Sequence, residues 1–347
     1  MKTDLTGGLR PEQDLMLGAA PEDPEMRQGV SMWISLDDPA RGLGFPRLGL
    51  EAVASEWDRP RHMFQAAWTD GRVVLVAAPG ALARGDGPAG RSTVWSSGPF
   101  EVRCHEPFRR WTVHYEGTAI DTTVQDQVAG TVDPGRSVDV SFHLECDMAV
   151  PPFVQGTLGR EARGRMSGDS VEAAFMGGVG GFRFEQLFRG EGSFRAGGGS
   201  EQTFSCTGLR ILRQGVRDTR GFWGHCWQSA LFPSGRAFGY IAYPPRPDGS
   251  PSYSEGFVFD GAGELVPAML VEAPWMTDFV PLGGKVPLVL ESERGTATIA
   301  AETFVSLVHR QLPDFPPVHQ GCVQYMWDGE VAYGMIERSY PADQISW

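Results

Sequence analysis

The feature that most constrains this chain is a period of two. Apolar and polar residues alternate in Phe100–Cys104, Trp111–Tyr115 and Val138–Leu144, and again in Phe182–Phe188 and Thr203–Thr207. Side chains on a strand point alternately to opposite faces, so such runs predict half-buried β-strands. Turn residues bound the runs. Phe232-Pro-Ser-Gly235, Phe259-Asp-Gly-Ala-Gly263 and Trp327-Asp-Gly-Glu330 read as hairpin connections, since Gly adopts positive φ at no steric cost. The 45 Gly and 26 Pro among 347 residues fit many short elements joined by turns. Helical periodicity is scarce. Leu48–Trp57 is read as a short helix, and Ile299–His309 as helix or strand.

The predicted fold class is therefore all-β, as two barrel or sandwich domains with few short helices. The polar, Arg- and Gly-rich stretch Gly159–Asp169 is taken as the boundary, giving domains at 1–165 and 166–347. A net charge of −13 excludes nucleic-acid binding, which needs a basic surface. The basic residues are 28 Arg to 2 Lys and Asn is absent, a pattern read as coding bias with little functional weight. Five widely spaced cysteines without C-x-x-C fit a reduced compartment. No apolar leader or membrane-length segment is visible, so a bacterial cytoplasmic protein is expected.

Walker A, dinucleotide-binding, HExxH and G-x-S-x-G motifs are all missing, and no cofactor or metal is expected. The densest chemical stretch is Gly215–Gln228, which holds Arg217, Asp218, Phe222, Trp223, His225 and Trp227. A carboxyl among these aromatics would be desolvated and raised in pKa, while Arg217 would oppose that shift. Asp218 could equally serve as a turn cap or ion-pair partner, with the aromatics as core. Tyr240 and Tyr243 follow on the next strand, three apart, so one at most reaches a shared pocket. Glu185, Glu337 and Asp278 compete for the acid role, the last beside Trp275 and Phe279.

Gly215–Gln228 also resembles the G-x-R-D-x-S-W-G motif of the carotenoid 1,2-hydratase and AttH-like superfamily. That superfamily of paired lipocalin-like (calycin-type) domains includes kievitone hydratase, tocopherol cyclase and decalin-forming Diels–Alderases. Gly98–Trp111, Phe184-Glu-Gln186 and Val323–Glu337 resemble further motifs of it, so the similarity spans roughly residues 25–345. This chain departs from the pattern at Asp218-Thr-Arg-Gly-Phe-Trp223-Gly224, where an insertion separates the acid from Trp-Gly. The resemblance implies two tandem antiparallel β domains. It also implies a cofactor-independent hydratase, dehydratase or isomerase acting on a hydrophobic isoprenoid-like or polycyclic alkene. Asp218 would be the acid, assisted by Arg217 and His225. Phe222, Trp223, Trp227, Tyr240, Tyr243, Glu185 and Asp278 would line the pocket, where aromatic faces steady a carbocation. A non-catalytic carrier of an apolar ligand and a shape-driven pericyclase remain alternatives. A homodimer is compatible with either.

Overall fold

In the computed structural model, residues 3–158, 179–217, 222–245, 249, 252–310 and 315–347 are described, without the side chains of 179–181. The first part of the chain forms β1 (Met16–Leu17), β2 (Met26–Leu36), β3 (Leu43–Val53), β4 (Arg61–Trp68) and β5 (Arg72–Pro79). It continues as β6 (Arg84–Asp86), β7 (Arg91–Ser97), β8 (Phe100–Glu106), β9 (Arg110–Thr123) and helix α1 (Val124–Ala129). Then come β10 (Ser137–Met148), β11 (Phe153–Val154), β12 (Val179–Ala196) and β13 (Gln202–Val216). The last part forms β14 (His225–Leu231), β15 (Ala237–Ala242), β16 (Ser254–Phe259) and β17 (Val266–Glu272). It ends with β18 (Leu288–Ser292), β19 (Gly295–His309), β20 (Val318–Trp327) and β21 (Glu330–Ser339).

The fold is all-β and antiparallel, with few short helices. In the first sheet the order runs β9-β10-β12-β13-β2-β3-β4-β5, and β5 returns to pair with the end of β9, from Arg72↔Thr123 to Leu75↔Ile120. That ring closes on itself, while β8, β7 and β1 extend from the first half of β9. Strands β14–β21 form a second closed barrel of eight strands in sequential order. Closure leaves neither ring with open edges.

Two expectations need correction. Leu48–Trp57 is not a helix: Leu48, Leu50 and Ala52 are buried on one face of β3, and a 3-10 turn follows only at Ala54–Glu56. The spacing 48, 50, 52 is a strand period; Glu51, on the other face, pairs with Arg27 across the sheet. The expected boundary at 165/166 is also displaced. Gly159–Asp169 lies outside the described residues, but β12 and β13 beyond it pair into the first sheet, between β10 and β2. The passage between sheets falls between Val216 and His225. Ile299–His309 is strand, and Asp328 and Gly329 make the tight β20–β21 turn at φ 51° and 80°.

Each ring is filled by the inward face of its strands. On β10, Val140, Phe142, Leu144, Cys146 and Met148 are buried while intervening residues face out. The strands β2, β12, β13, β14 and β21 bury both faces, because their outward sides face the other ring. There Ser35 Oγ donates to the Gly334 carbonyl at 2.6 Å and Thr207 Oγ1 to that of Tyr333 at 2.7 Å. The contact is close: a Cβ on Gly44 would stand 2.3 Å from Cys322 Sγ. All five cysteines are free and buried. No described helix is long and apolar enough to cross a membrane.

Candidate functional site between the barrels

Period two decides which side chains meet between the rings. Even-numbered residues of β13 such as Phe204, Cys206 and Leu212 enter the first core, so Leu209, Ile211 and Arg213 face the second barrel. On β2 the same rule sends Met32 and Ile34 inward and Ser31 and Trp33 across. From the opposite side, Cys226 and Ile336 fill the second barrel, turning His225, Trp227 and Glu337 toward the first. Ser31, Trp33, Ile211, Arg213, His225, Trp227 and Glu337, with Arg47, Arg183 and Arg217, line a small cavity of about 40 Å³. A wider cavity of about 380 Å³ shares Ser31, Arg47, Arg217 and Glu337 with it and continues past Leu50, Met63, Phe315 and Val318.

Glu337 is the hub. Its Oε1 lies 3.2 Å from His225 Nε2, its Oε2 accepts from Gln320 Nε2 at 2.5 Å, and Arg47 stands 3.6 Å away. Burial alone would raise this carboxyl, but Arg47 and the His225 and Gln320 contacts hold it well below the usual carboxylate range. An ionised carboxylate only accepts, so Nε2 of His225 is the donor. The other ring nitrogen, Nδ1, lies 2.7 Å from Ser339 Oγ, which also accepts the His225 backbone N–H at 3.2 Å. The imidazole is thereby fixed at both nitrogens.

Arg47 reaches the cavity from an irregular stretch of β3. Its pairing with β2 shifts register between Met32 and Ile34, and that with β4 between Gly44 and Leu48. Pro46, which has no N–H to donate, sits within it. The Arg47 guanidinium lies 5.2 Å from the Trp33 ring centre, and Trp33 meets Trp227 edge-to-face at 4.7 Å. Arg213 pairs with Glu51, which also accepts from Arg27 at 3.1 Å. Burial and then neighbouring arginines lower Arg213 well below its ordinary value, and the same causes bring Arg217 to about 10.

Behind this lining lies Glu185, fully buried, accepting from Trp227 Nε1 at 3.0 Å, from Arg183 at 3.3 Å and from Gln155 Nε2. Burial pushes its carboxyl up to about 7, against the pull of Arg183, Trp227 and Gln155. The Arg183 guanidinium lies 4.9 Å from the Trp227 ring centre, so Glu185 fixes two cavity walls at once.

The sequence candidates divide accordingly. Arg217, His225 and Trp227 line the small cavity, and Glu185 supports it. Phe222 is buried 5.6 Å from the His225 ring and 4.8 Å from that of Phe315, a wall of the wider cavity. Trp223 donates to the Pro244 carbonyl at 2.9 Å and edges Tyr243. Tyr243 is among the side chains between the barrels, whereas Tyr240 points into the second barrel and donates to Gln228 at 2.6 Å. The pair does face opposite ways. Asp278 is exposed and does not line either cavity, and its backbone carbonyl accepts from Arg338. Asp218 lies outside the described residues. Sequence reasoning missed Arg47, Arg183, Arg213 and Trp33, for which the only local signal was Pro46 inside an apolar strand. Among the described residues, no group of three or more His, Cys, Asp or Glu could hold a metal ion.

Comparison with known proteins places this architecture. No curated protein matches the sequence. The crystal structure of an AttH-like protein from Nitrosomonas europaea is similar at 14% identity, covering 92% of this chain and 94% of that one, with a TM-score of 0.58. CghA is similar at 12% identity over 92% and 89% of the two chains, with a TM-score of 0.54. Kievitone hydratase from Nectria haematococca aligns at 10% identity over 99% and 98%, with a TM-score of 0.49. The chain thus has the fold of the AttH-like proteins. The family model described as a domain of unknown function (DUF7064) matches residues 12–342, and the chain belongs to that family.

Proposed function

We propose that this protein is a cofactor-independent lyase of the hydratase/dehydratase kind, acting on a small molecule with an apolar body in the cavity between the barrels. The observation that carries this reading is the His225–Glu337 pair, enclosed in that cavity at 3.2 Å with its carboxylate held ionised. Glu337 accepts the Nε2–H of His225 and orients the ring, and the pair relays a proton at the cavity wall once a substrate or water takes up one of these contacts. In the hydration direction a water oxygen adds to one alkene carbon and gives up a proton, and the other carbon takes a proton. In the reverse direction a C–H proton leaves to the base and the C–O bond breaks, the hydroxide departing as water once protonated. The resemblance to the carotenoid 1,2-hydratase superfamily supports the reaction class.

The lining modifies the expected chemistry. Guanidiniums at Arg47, Arg183, Arg213 and Arg217 would oppose a carbocation and favour negative charge developing on the substrate. An alkene conjugated to a carbonyl or carboxyl therefore fits better than an isolated one. Asp218 remains a candidate acid next to Arg217.

The experiment incubates purified protein with a panel of unsaturated and hydroxylated terpenoid, polycyclic and acyl compounds, followed by mass spectrometry. A product differing by one water, lost in Glu337→Gln, is the expected result. An isomer of unchanged mass that survives the substitution would replace this reading with a shape-driven cyclase. A second reading, a carrier, is favoured by the apolar walls Leu50, Met63, Ala77 and Val318 of the wider cavity. Tight binding with no product across the panel would select it.

A further inference from the structure

The two cavities divide the candidate catalytic groups between them, and the division determines what each can hold. His225 and Trp227 line the small cavity and do not line the wider one. Glu337, Ser31 and Arg47 line both and stand at the neck between them. A volume of about 40 Å³ takes a few water molecules or one hydroxyl group, and no carbon skeleton. The wider cavity offers about 380 Å³, within the ordinary range for a small molecule, and Leu50, Met63 and Val318 as apolar walls. An alkene that fills it meets Glu337 but not the His225 ring.

The lining of the small cavity suits water from both sides of the hydrogen bond. Trp33 Nε1 and Arg213 Nε are buried donors that make no hydrogen bond among the described residues, and both side chains line this cavity. Trp33 is 2% exposed, so bulk water does not reach its indole. Acceptors stand with them. The Ser31 hydroxyl is at the neck, and each Glu337 oxygen, engaged once by His225 or Gln320, keeps a second lone pair. Two donors and two acceptors around a volume of this size are what an ordered internal water requires.

We propose that the small cavity seats the water that adds to the alkene, or the hydroxyl that departs as water, with Trp33, Arg213 and Ser31 as its positioning residues. The carbon body lies in the wider cavity. This rests on the lyase reading above and deepens it by giving each reactant a compartment. In hydration the water oxygen bonds to one alkene carbon across the neck as its proton goes to Glu337. Facing both compartments, Glu337 then returns a proton to the other carbon, and dehydration runs the same steps backwards.

The test begins with a crystal structure of the full-length protein soaked with toluene. Ordered water should lie within hydrogen-bond distance of Trp33 Nε1 or Arg213 Nε and of Ser31 Oγ or Glu337, with toluene in the wider cavity. Trp33→Phe removes the buried donor and Ser31→Ala the hydroxyl at the neck; the second covers the case in which the first does not fold. Either should empty the water position while toluene affinity by calorimetry stays within about twofold of the wild type. With a substrate from the panel above, kcat should fall at least about tenfold and KM hold, a split that mere loosening of the fold would not give. A small cavity without ordered water, or toluene seated against His225, would overturn the proposal. Its failure is separable from that of the lyase reading. A product differing by one water and formed with unchanged kcat in both variants would keep the reaction and sink the water seat, whereas ordered water at that seat with no product across the panel would do the reverse.

Discussion

Two clusters of buried charge differ in one respect that separates structure from chemistry. In the first ring Asp14 and Arg210, both fully buried, pair at 2.6 Å, one acid to one base. Asp14 also accepts from the Phe108 backbone and Trp111 Nε1, while Arg210 lies 4.6 Å from the Trp111 ring centre and donates to Gln186. Burial raises the Asp14 carboxyl and Arg210 counters it. The charges are matched and closed off in the core, although Arg210 Nε and Nη1 make no further hydrogen bond among the described residues. Between the barrels the charged side chains Arg47, Arg213, Arg217, His225 and Glu337 line open volume instead of filling a core. Buried charge closed into a core specifies a fold, whereas buried charge lining open volume stands where a ligand can meet it.

The largest effect should fall on the matched pair. Asp14→Ala leaves Arg210 buried without its counter-charge, and breaking a pair of this kind costs about 3–5 kcal/mol. Urea unfolding should show that loss, while turnover by the remaining folded protein stays unchanged. A turnover defect as large as the stability loss would erase the distinction between the two clusters.

Glu337→Gln should do the opposite. It keeps the volume and a hydrogen bond for His225 but removes the charge that orients the ring. Turnover should fall by about a hundredfold, roughly 2.7 kcal/mol of barrier, with a smaller change in melting temperature. The sign of the pH dependence follows from its depressed pKa. The stability this carboxylate contributes is present above the unfolded value of 4.5 and is lost only as pH falls through the lower folded value. Wild-type protein should therefore keep this contribution throughout the neutral range.

Glu185 behaves in the reverse sense and sharpens the comparison. Its folded pKa of about 7 lies above the unfolded 4.5, so the folded state holds its proton more tightly. Its burial lowers stability progressively as pH rises from about 4.5 to about 7, and the penalty is complete above that. Glu185→Gln should gain on the wild type by a few kcal/mol at most between acid and alkaline conditions. Thermal unfolding of both proteins on either side of neutrality measures this. A constant difference across that range would mean Glu185 does not titrate there.

The barrels were legible in the sequence because strands such as β10 bury one face only, so Val140, Phe142 and Leu144 announce their period. Leu48–Ala52 misled because apolar residues at 48, 50 and 52, flanked by Leu43 and Val53, satisfy strand and helix spacings alike. The boundary misled because a polar stretch read as a linker is followed by two strands that return to the first sheet. Half of the candidate site was legible for a local reason: Arg217, His225 and Trp227 stand within eleven residues. Arg47, Arg183 and Arg213 come from other strands of the first ring, and only the register that turns them toward the second barrel brings them together. An arginine excess attributed to coding bias is, at these positions, the lining of a cavity.

The smallest effect is expected at Asp278, which the sequence places beside Trp275 and Phe279 as a candidate acid. Its exposed carboxyl acts on the buried Arg338 through charge screened by solvent, and the backbone carbonyl that Arg338 contacts is left in place by Asp278→Asn. Stability should change by less than about 1 kcal/mol, and turnover should match the wild type. This near-silent variant tests the location of the site more severely than its size suggests. The Asp278 side chain neither lines the cavity between the barrels nor contacts the His225–Glu337 pair. Loss of turnover on removing one exposed carboxylate there would move the chemistry out of the cavity between the barrels to that solvent-facing position.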